Sequence, residues 1–585
     1  MKIPGWIAAG DWLRGYNRQT AAADGVAAVI VTIMLIPQSL AYAMLAGLPP
    51  EVGLYASILP LVAYAIFGTS RTLAVGPVAV ASLMTAAAAS EVASTGTSEY
   101  LAATVILALL SGLMLLAMAI LKLGWISNLL SHPVVSGFIT ASGILIAASQ
   151  LKHLLGIPLS GHNLIELGQS LAGHIQDLHW PTLLLGVIVT GFLFWVRRSL
   201  KPLLLKTGLP PFWADLISKA GPVLAVLVSS LAVYQLHLQQ GGMAIVGEIP
   251  KGLPDFTLPL LDAGLWETLA VPALLISLIG FVESISVAQT LAAKRRQRVN
   301  ANQELMGLGS ANLASAFSGG FPVTGGFSRS VVNFDAGAQT PLAGVFTAIG
   351  IALTAVFLTG WFTYLPKATL AATIVVAVLS LVDLRTLAHT WRFSKLDFSA
   401  MAITIAGVLG WGVEAGVLAG VVTSLALYLW RTNQPHVAEI GLVPGTEHFR
   451  NVQRHQVQVS PAVLGMRIDE SLYFANARRL EDQIYDAALL RPQTRDVVLM
   501  GAAINHLDAS AVDSLLSLNQ RLHDAGIKLH LSEIKGPVMD QLKRTELPEQ
   551  LSGQIFLSHF QALQALAPGS LATSANAPCS ATSQG

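Results

Sequence analysis

The sequence predicts a polytopic α-helical membrane protein of about fourteen segments, followed by a small C-terminal α/β domain. Three observations carry that expectation. The 585 residues are 53% hydrophobic and only 11% charged, with a mean hydropathy of +0.61, which excludes a soluble enzyme of ordinary composition. Apolar runs suited to a bilayer recur as far as Arg431. Beyond it the chain turns polar and reads as short alternating elements. The net charge of +1 gives no indication of nucleic-acid binding, and the single Cys579 excludes a disulfide framework within the chain. Neither a cofactor nor a metal site is expected.

Residues 1–22 carry Trp6, Asp11, Trp12, Arg14 and Arg18 and read as a cytoplasmic N-terminal segment, not a cleavable signal. The transmembrane domain is expected over 23–431. Its apolar segments fall near 24–45, 52–67, 74–90, 101–121, 132–151, 182–196, 221–235, 269–291, 304–318, 327–335, 341–359, 368–381, 398–411 and 415–430. Several are too short to cross alone, since a spanning helix needs roughly 20 residues. Under this count Arg71, Lys122, Arg197, Arg198, Lys294 to Arg298 and Arg431 share one side, whereas Glu91, Glu99, Glu166, Glu248 and Asp262 share the other. The side rich in bases is cytoplasmic, so both termini are placed in the cytoplasm of a bacterial inner membrane. The basic run 294–298 reads as a topology signal before it reads as a nucleic-acid or lipid patch.

The tenth segment is the most informative. Residues 319–341 lie among apolar segments, yet hold five glycines before residue 340, Pro322, the hydroxyls of Thr324, Ser328 and Ser330, and the charge of Arg329. Pro322 and Gly325-Gly326 forbid a continuous helix, while 328–335 can form a short one, so a half-helix begins near Gly326 inside the bilayer. Its first-turn amides and Arg329 together attract anions. The alternative is an arginine that snorkels or pairs with Asp335. The third segment repeats the pattern, with Gly76-Pro77 before a small-residue helix. Two interrupted segments, seven apart and opposite in orientation, point to an inverted-repeat transporter whose half-helices meet N-terminus to N-terminus.

Further polar residues sit in apolar spans. Gln38 and Tyr42 lie one turn apart on one face of the first span, behind Pro37, as ligands or as interhelical hydrogen-bonding glue. Glu283 in the eighth span is a candidate proton carrier, or else half of a buried ion pair with Arg329.

The segments 37–43 (Pro-Gln-Ser-Leu-Ala-Tyr-Ala), 68–71 (Gly-Thr-Ser-Arg), 302–305 (Asn-Gln-Glu-Leu) and 327–330 (Phe-Ser-Arg-Ser) together resemble the sulfate permease family of anion transporters, over about residues 12–560. The resemblance implies two inverted repeats of seven segments, divided into a core domain (segments 1–4 and 8–11) and a gate domain (5–7 and 12–14). It implies a substrate pocket formed by Gln38, Tyr42, Val78, Ala79, Gly325, Gly326, Phe327, Ser328 and Arg329. It also implies a homodimer in the lipid bilayer. Val78 stands where some relatives carry an aromatic ring. Sodium-coupled bicarbonate carriers of the family have Asp at the position of Glu283 and a hydroxyl residue where this chain has Val287, so protons are favoured over sodium.

Residues 432–458 are expected to be a linker and 459–566 an α/β domain. Strands are predicted at 463–468, 471–474, 496–500 and 528–532, with helices at 475–489, 510–524 and 536–545. His506-Leu-Asp508-Ala-Ser510 resembles the loop of STAS domains, in whose antagonist relatives the serine at Ser510 accepts phosphate. The plain alternative is an Asp/Ser helix cap. Alternate residues of one loop seldom converge, so His506, Asp508 and Ser510 do not read as a hydrolytic triad. The tail 567–585 is expected to be disordered.

The expected function is proton-coupled uptake of sulfate or a similar small anion by alternating access. Sodium-coupled bicarbonate transport, proton-coupled dicarboxylate transport and a chloride-type channel or exchanger are the alternatives.

Overall fold

A computed structural model of the protein describes residues 9–568, except 14, 129–130, 162, 211–212, 215–216, 219, 261 and 381. Cys579 and all but the first two residues of the expected disordered tail lie outside the described residues, as does Arg14. The chain divides into two compact units, 1–424 and 425–585.

Over residues 18–432 every expected apolar segment coincides with a helix: α1 (Arg18–Leu45), α2 (Pro50–Phe67, with a turn at 56–58), α3 (Ala79–Val92), α4 (Ser98–Ile120), α5 (His132–Leu155), α6 (Trp180–Lys206), α7 (Gly221–Gln235), α8 (Ala263–Lys294), α9 (Ala301–Phe317), α10 (Phe327–Asp335), α11 (Leu342–Phe357), α12 (Lys367–Leu379), α13 (Lys395–Trp411) and α14 (Val413–Thr432). Among the described residues, eight helices are long and apolar enough to cross a membrane by length and composition. The ends follow local chemistry. The side chains of Asn17, Thr97, Asp262 and Asn300 cap α1, α4, α8 and α9, and prolines occupy the first turns of α2, α5, α6 and α7, where no amide hydrogen is needed.

Packing sorts these helices into two groups. Helix α4 lies along α8 and α9, α2 along α9 and α11, and α1 along α10 and α11, whereas α5 packs on α12 and α13, and α6 on α12. Small residues let the backbones approach: Gly112 of α4 faces Gly309 of α9, and Gly407 of α13 faces Gly416 of α14. Helix α12 also touches α1, so the seam between the groups runs beside Gln38 and Tyr42.

The second unit is built on a six-stranded sheet of order β4-β3-β5-β6-β7-β8. The strands are β3 (Val437–Leu442), β4 (Phe449–Asn451), β5 (Val463–Ile468), β6 (Asp496–Met500), β7 (Lys528–Ser532) and β8 (Ile555–Phe556). Strands β5 to β8 run parallel, and β3 is antiparallel to both β4 and β5. Alternation along β5 sends Leu464, Met466 and Ile468 to a core under α15 (Ala477–Leu489) and α16 (Ala509–Asp524), and Val463 to a second core under α18 (His559–Leu566), which follows α17 (Gly536–Leu542).

Three expectations for this unit need correction. The stretch 432–458 is not a plain linker, because Ala438, Ile440 and Leu442 alternate into the core and put 437–442 in the sheet. Residues 471–474 form no strand. Their backbone is used locally, with Asn476 accepting from the Tyr473 amide at 3.1 Å and donating to the Ser471 carbonyl at 3.0 Å, so that only Leu472 bridges to Leu507. The helix expected over 536–545 ends at Leu542.

Candidate functional site: two half-helices facing one arginine

The chain reaches α3 and α10 through extended backbone, and the two approaches pair. Strand β1 (Val75–Gly76) runs antiparallel to β2 (Thr324–Gly325), with Val75 opposite Gly325 and Gly76 opposite Thr324. The Gly326 amide continues the pairing to the Ala74 carbonyl at 3.1 Å. Such backbone inside a membrane domain must find all its partners in protein, and side chains from neighbouring helices supply them. Asn312 of α9 brackets Val323, accepting from its amide and donating to its carbonyl at 2.9 Å each. Ser315 donates to the Phe321 carbonyl at 2.6 Å, and Ser284 of α8 accepts from the Gly325 amide at 2.8 Å. Ser330 accepts from the Ala74 amide at 3.0 Å while donating to the Gly326 carbonyl, and Asn333 donates to the Thr72 carbonyl at 3.1 Å.

The approach to β1 rests on Glu304, which is fully buried. Its Oε1 accepts from the Thr69 amide at 2.7 Å, the Thr69 hydroxyl at 2.5 Å and the Ser70 amide at 2.9 Å, and its Oε2 accepts from the Tyr64 hydroxyl at 2.6 Å. The two motifs 68–71 and 302–305, far apart in sequence, are therefore one structural unit. Asp24, also fully buried, does the same after α10, accepting from the Gln339 and Thr340 amides and the Thr340 hydroxyl.

Neither half-helix has a side-chain cap: Val78 and Gly326 occupy the capping positions of α3 and α10. The first-turn amides, with the positive end of each helix dipole, are left for a ligand. Arg329 sits in the first turn of α10 and is only 2% exposed, and among the described residues its Nη1 and Nη2 reach no hydrogen-bond partner, Glu283 and Asp335 included. Burial leaves no snorkelling arginine, and Asp335 lies exposed at the far end of the helix, whereas Glu283 lines the same cavity as Arg329 without a hydrogen bond to its Nη1 or Nη2.

Two glycines make room for the guanidinium. A Cβ on Gly76 would lie 2.7 Å from Nη1, and Gly76 also holds φ +153°, a conformation other residues rarely adopt; a Cβ on Gly326 would lie 2.9 Å from Nε and 3.0 Å from Nη2.

Around the guanidinium is a cavity of about 50 Å³. It brings together Gln38 and Tyr42 of α1, Val78 and Ala79 at the start of α3, Glu283 of α8, and Gly326, Phe327, Ser328 and Arg329 of α10. Phe327 and Ser328 are exposed in front of the buried Arg329. Gln38 and Tyr42 make no side-chain hydrogen bond among the described residues, so they are not interhelical glue here. Gly325 lies outside the cavity, its amide committed to Ser284. Sequence reasoning missed Ala377 and Val378 of α12, which close the cavity from the second helix group. It also missed Asn312 and Ser284, and it named the Ser330 hydroxyl without its role in pairing the two approaches.

In the second unit, Asp508 caps α16, accepting from the Ala511 amide at 2.9 Å and the Phe474 amide at 2.8 Å. Ser510 is exposed in the first turn, beside that carboxylate.

Comparison with known proteins agrees with this architecture. Residues 22–404 match the model of the sulfate permease family, and residues 454–562 match that of the STAS domain. The chain is 34% identical to "Sulfate transporter 4.1, chloroplastic" of Arabidopsis thaliana, over 93% of this chain and 80% of that protein. It is 32% identical to a probable sulfate transporter of Mycobacterium tuberculosis, over 97% of this chain and 99% of that one. In fold it matches the murine Solute Carrier 26 family member A9 anion transporter with a TM-score of 0.87, at 22% identity over 96% of this chain and 94% of that one. The chain is a multi-pass membrane protein of the sulfate permease family with a C-terminal STAS domain, and so belongs to a family of transporters and not of enzymes.

Proposed function

We propose that the protein is a secondary active transporter that takes up sulfate or a similar small oxyanion together with protons, by alternating access. The observation that carries this reading is the buried Arg329 guanidinium, whose Nη1 and Nη2 have no hydrogen-bond partner among the described residues, where two uncapped half-helices point at each other. A full positive charge costs several kcal/mol at this depth unless something answers it, and an oxyanion answers both the charge and the free amides. Gln38, Tyr42 and Ser328 supply further polar groups to the same cavity. Sulfate is favoured by the names of the relatives in Arabidopsis and Mycobacterium.

Proton coupling rests on Glu283, which lines the cavity with Arg329. Carrying an arginine and a divalent anion through a dry gate leaves an uncompensated charge, which a protonated carboxyl does not increase. Sodium would need several oxygen ligands. Val287 offers none, and the Ser284 hydroxyl is already engaged with Gly280 and Gly325. Alternating access would move the group containing α1, α3, α8 and α10 past α12, the helix that closes the cavity. We place the protein in a bacterial cytoplasmic membrane, as a homodimer with the STAS domain in the cytoplasm and Ser510 as its regulatory residue.

The test is sulfate uptake into proteoliposomes at symmetric sodium. An inward proton gradient should drive accumulation by the native protein, and Glu283→Gln should lose that drive while keeping binding or exchange. Accumulation that follows a sodium gradient and ignores the proton gradient would overturn the proton reading.

A further inference from the structure

The first unit holds a second polar cavity, over ten times larger than the central one, at about 680 Å³. It is lined by Trp12, by 68–71 before β1, and by 297–300 with Gln303 at the start of α9. Two arginines meet there, Arg71 and Arg298. Both are exposed, and neither has a hydrogen bond or ion pair among the described residues. The contrast within one basic run is informative. Arg295 is spent on structure, donating to the Phe334 carbonyl at 2.8 Å and to the Ala338 carbonyl, with its guanidinium 4.3 Å from the Phe334 ring. A topology signal accounts for the presence of positive charge on this side. It does not account for charges from two distant loops converging on one cavity.

We infer that this cavity binds a phosphorylated organic anion of nucleotide size. Two guanidiniums without a partner among the described residues suit the bidentate recognition of phosphate oxygens. A bare oxyanion would fill a small part of the volume, which instead falls in the range of cavities that enclose whole small molecules, roughly 300–1,000 Å³. Trp12 offers a ring wall for the organic part.

The position gives binding a consequence. Arg71 follows Thr69 and Ser70, which Glu304 holds, and stands four residues before Val75 of β1. A ligand on Arg71 therefore acts on the segment that aligns α3 with α10.

Equilibrium dialysis of the purified full chain with radiolabelled ATP tests the inference. Saturable binding is expected, weakened at least about tenfold in Arg71→Ala/Arg298→Ala and less in Arg71→Lys/Arg298→Lys, where the charge remains without the planar fork. The lysine pair guards against misfolding, and equal melting temperatures for the three proteins make the comparison direct. Inorganic phosphate at the same concentration should displace little ATP. Displacement by nanodiscs carrying a phosphoinositide, but not by nanodiscs of neutral lipid, would assign the phosphate ester to a lipid headgroup. Failure to displace by either would assign it to a soluble ligand. Unchanged binding in the alanine pair, absence of saturable binding, or displacement by inorganic phosphate as effective as by ATP would each overturn the inference.

Discussion

Replacing Arg329 with alanine separates a structural arginine from a ligand arginine. Among the described residues its Nη1 and Nη2 bond to nothing, so their removal orphans no acceptor there. Two opposing effects bear on stability. Losing the buried stem beyond Cβ costs about 0.8 kcal/mol for each of two methylenes. Removing an unpaired charge from a site only 2% exposed relieves a penalty of several kcal/mol. The expected melting temperature is therefore no lower than native. Anion binding should behave in the opposite way. A hydrogen bond from a charged group contributes about 1.5–3 kcal/mol, so loss of two donors weakens binding by about 3–6 kcal/mol, or roughly 10²- to 10⁴-fold. Sulfate should raise the melting temperature of the native protein and leave that of Arg329→Ala unmoved, with uptake abolished. Arg329→Lys should recover part of the uptake, because an ammonium keeps the charge but not the planar fork. An alanine variant that melts well below native, or that still takes up sulfate saturably, would refute the reasoning.

Gly326→Ala places a Cβ 2.9 Å from Nε of Arg329, which shifts the guanidinium by several tenths of an ångström; sulfate affinity should fall roughly tenfold or more, with the melting temperature near native, as measured by uptake KM and thermal shift. Glu304→Gln sets an amide group among four donors that now point at a carboxylate; a loss of about 1–3 kcal/mol is expected, and an unchanged denaturation midpoint would show that Glu304 does not hold the 68–71 turn. In the STAS domain, burial pushes the His559 imidazole down to about 4, where it is 3% exposed beside Ser532. The unfolded chain, with its histidine near 6.5, binds the proton first as pH falls. Stability from this group is complete above about pH 6.5 and drops by roughly 3 kcal/mol towards pH 4. Hydrogen exchange over β7 and α18, corrected for intrinsic pH dependence, should report the loss, and His559→Gln should flatten it.

Composition and local pattern are enough for the membrane class, the fourteen segments, the two breaks and the arginine between them. Hydropathy and helix-breaking residues act locally, and Pro322, Gly325-Gly326 and Gly76-Pro77 interrupt a helix whatever surrounds them. Strand β3 escaped notice because its alternation is short and lies in a polar stretch, where only pairing with β5 makes it a strand. Strand status for 471–474 failed for the converse reason, since Asn476 claims the backbone first. Long-range packing, and no local pattern, leaves Gly325 outside the cavity, closes it with Ala377 and Val378, and has Glu304 tie Thr69 and Ser70 to α9. It also settled the state of Arg329, because whether a buried guanidinium has a partner depends on the groups that α1, α3, α8, α10 and α12 bring around it. No single segment carries that information, and hydrogen-bond satisfaction is a property of the assembled site.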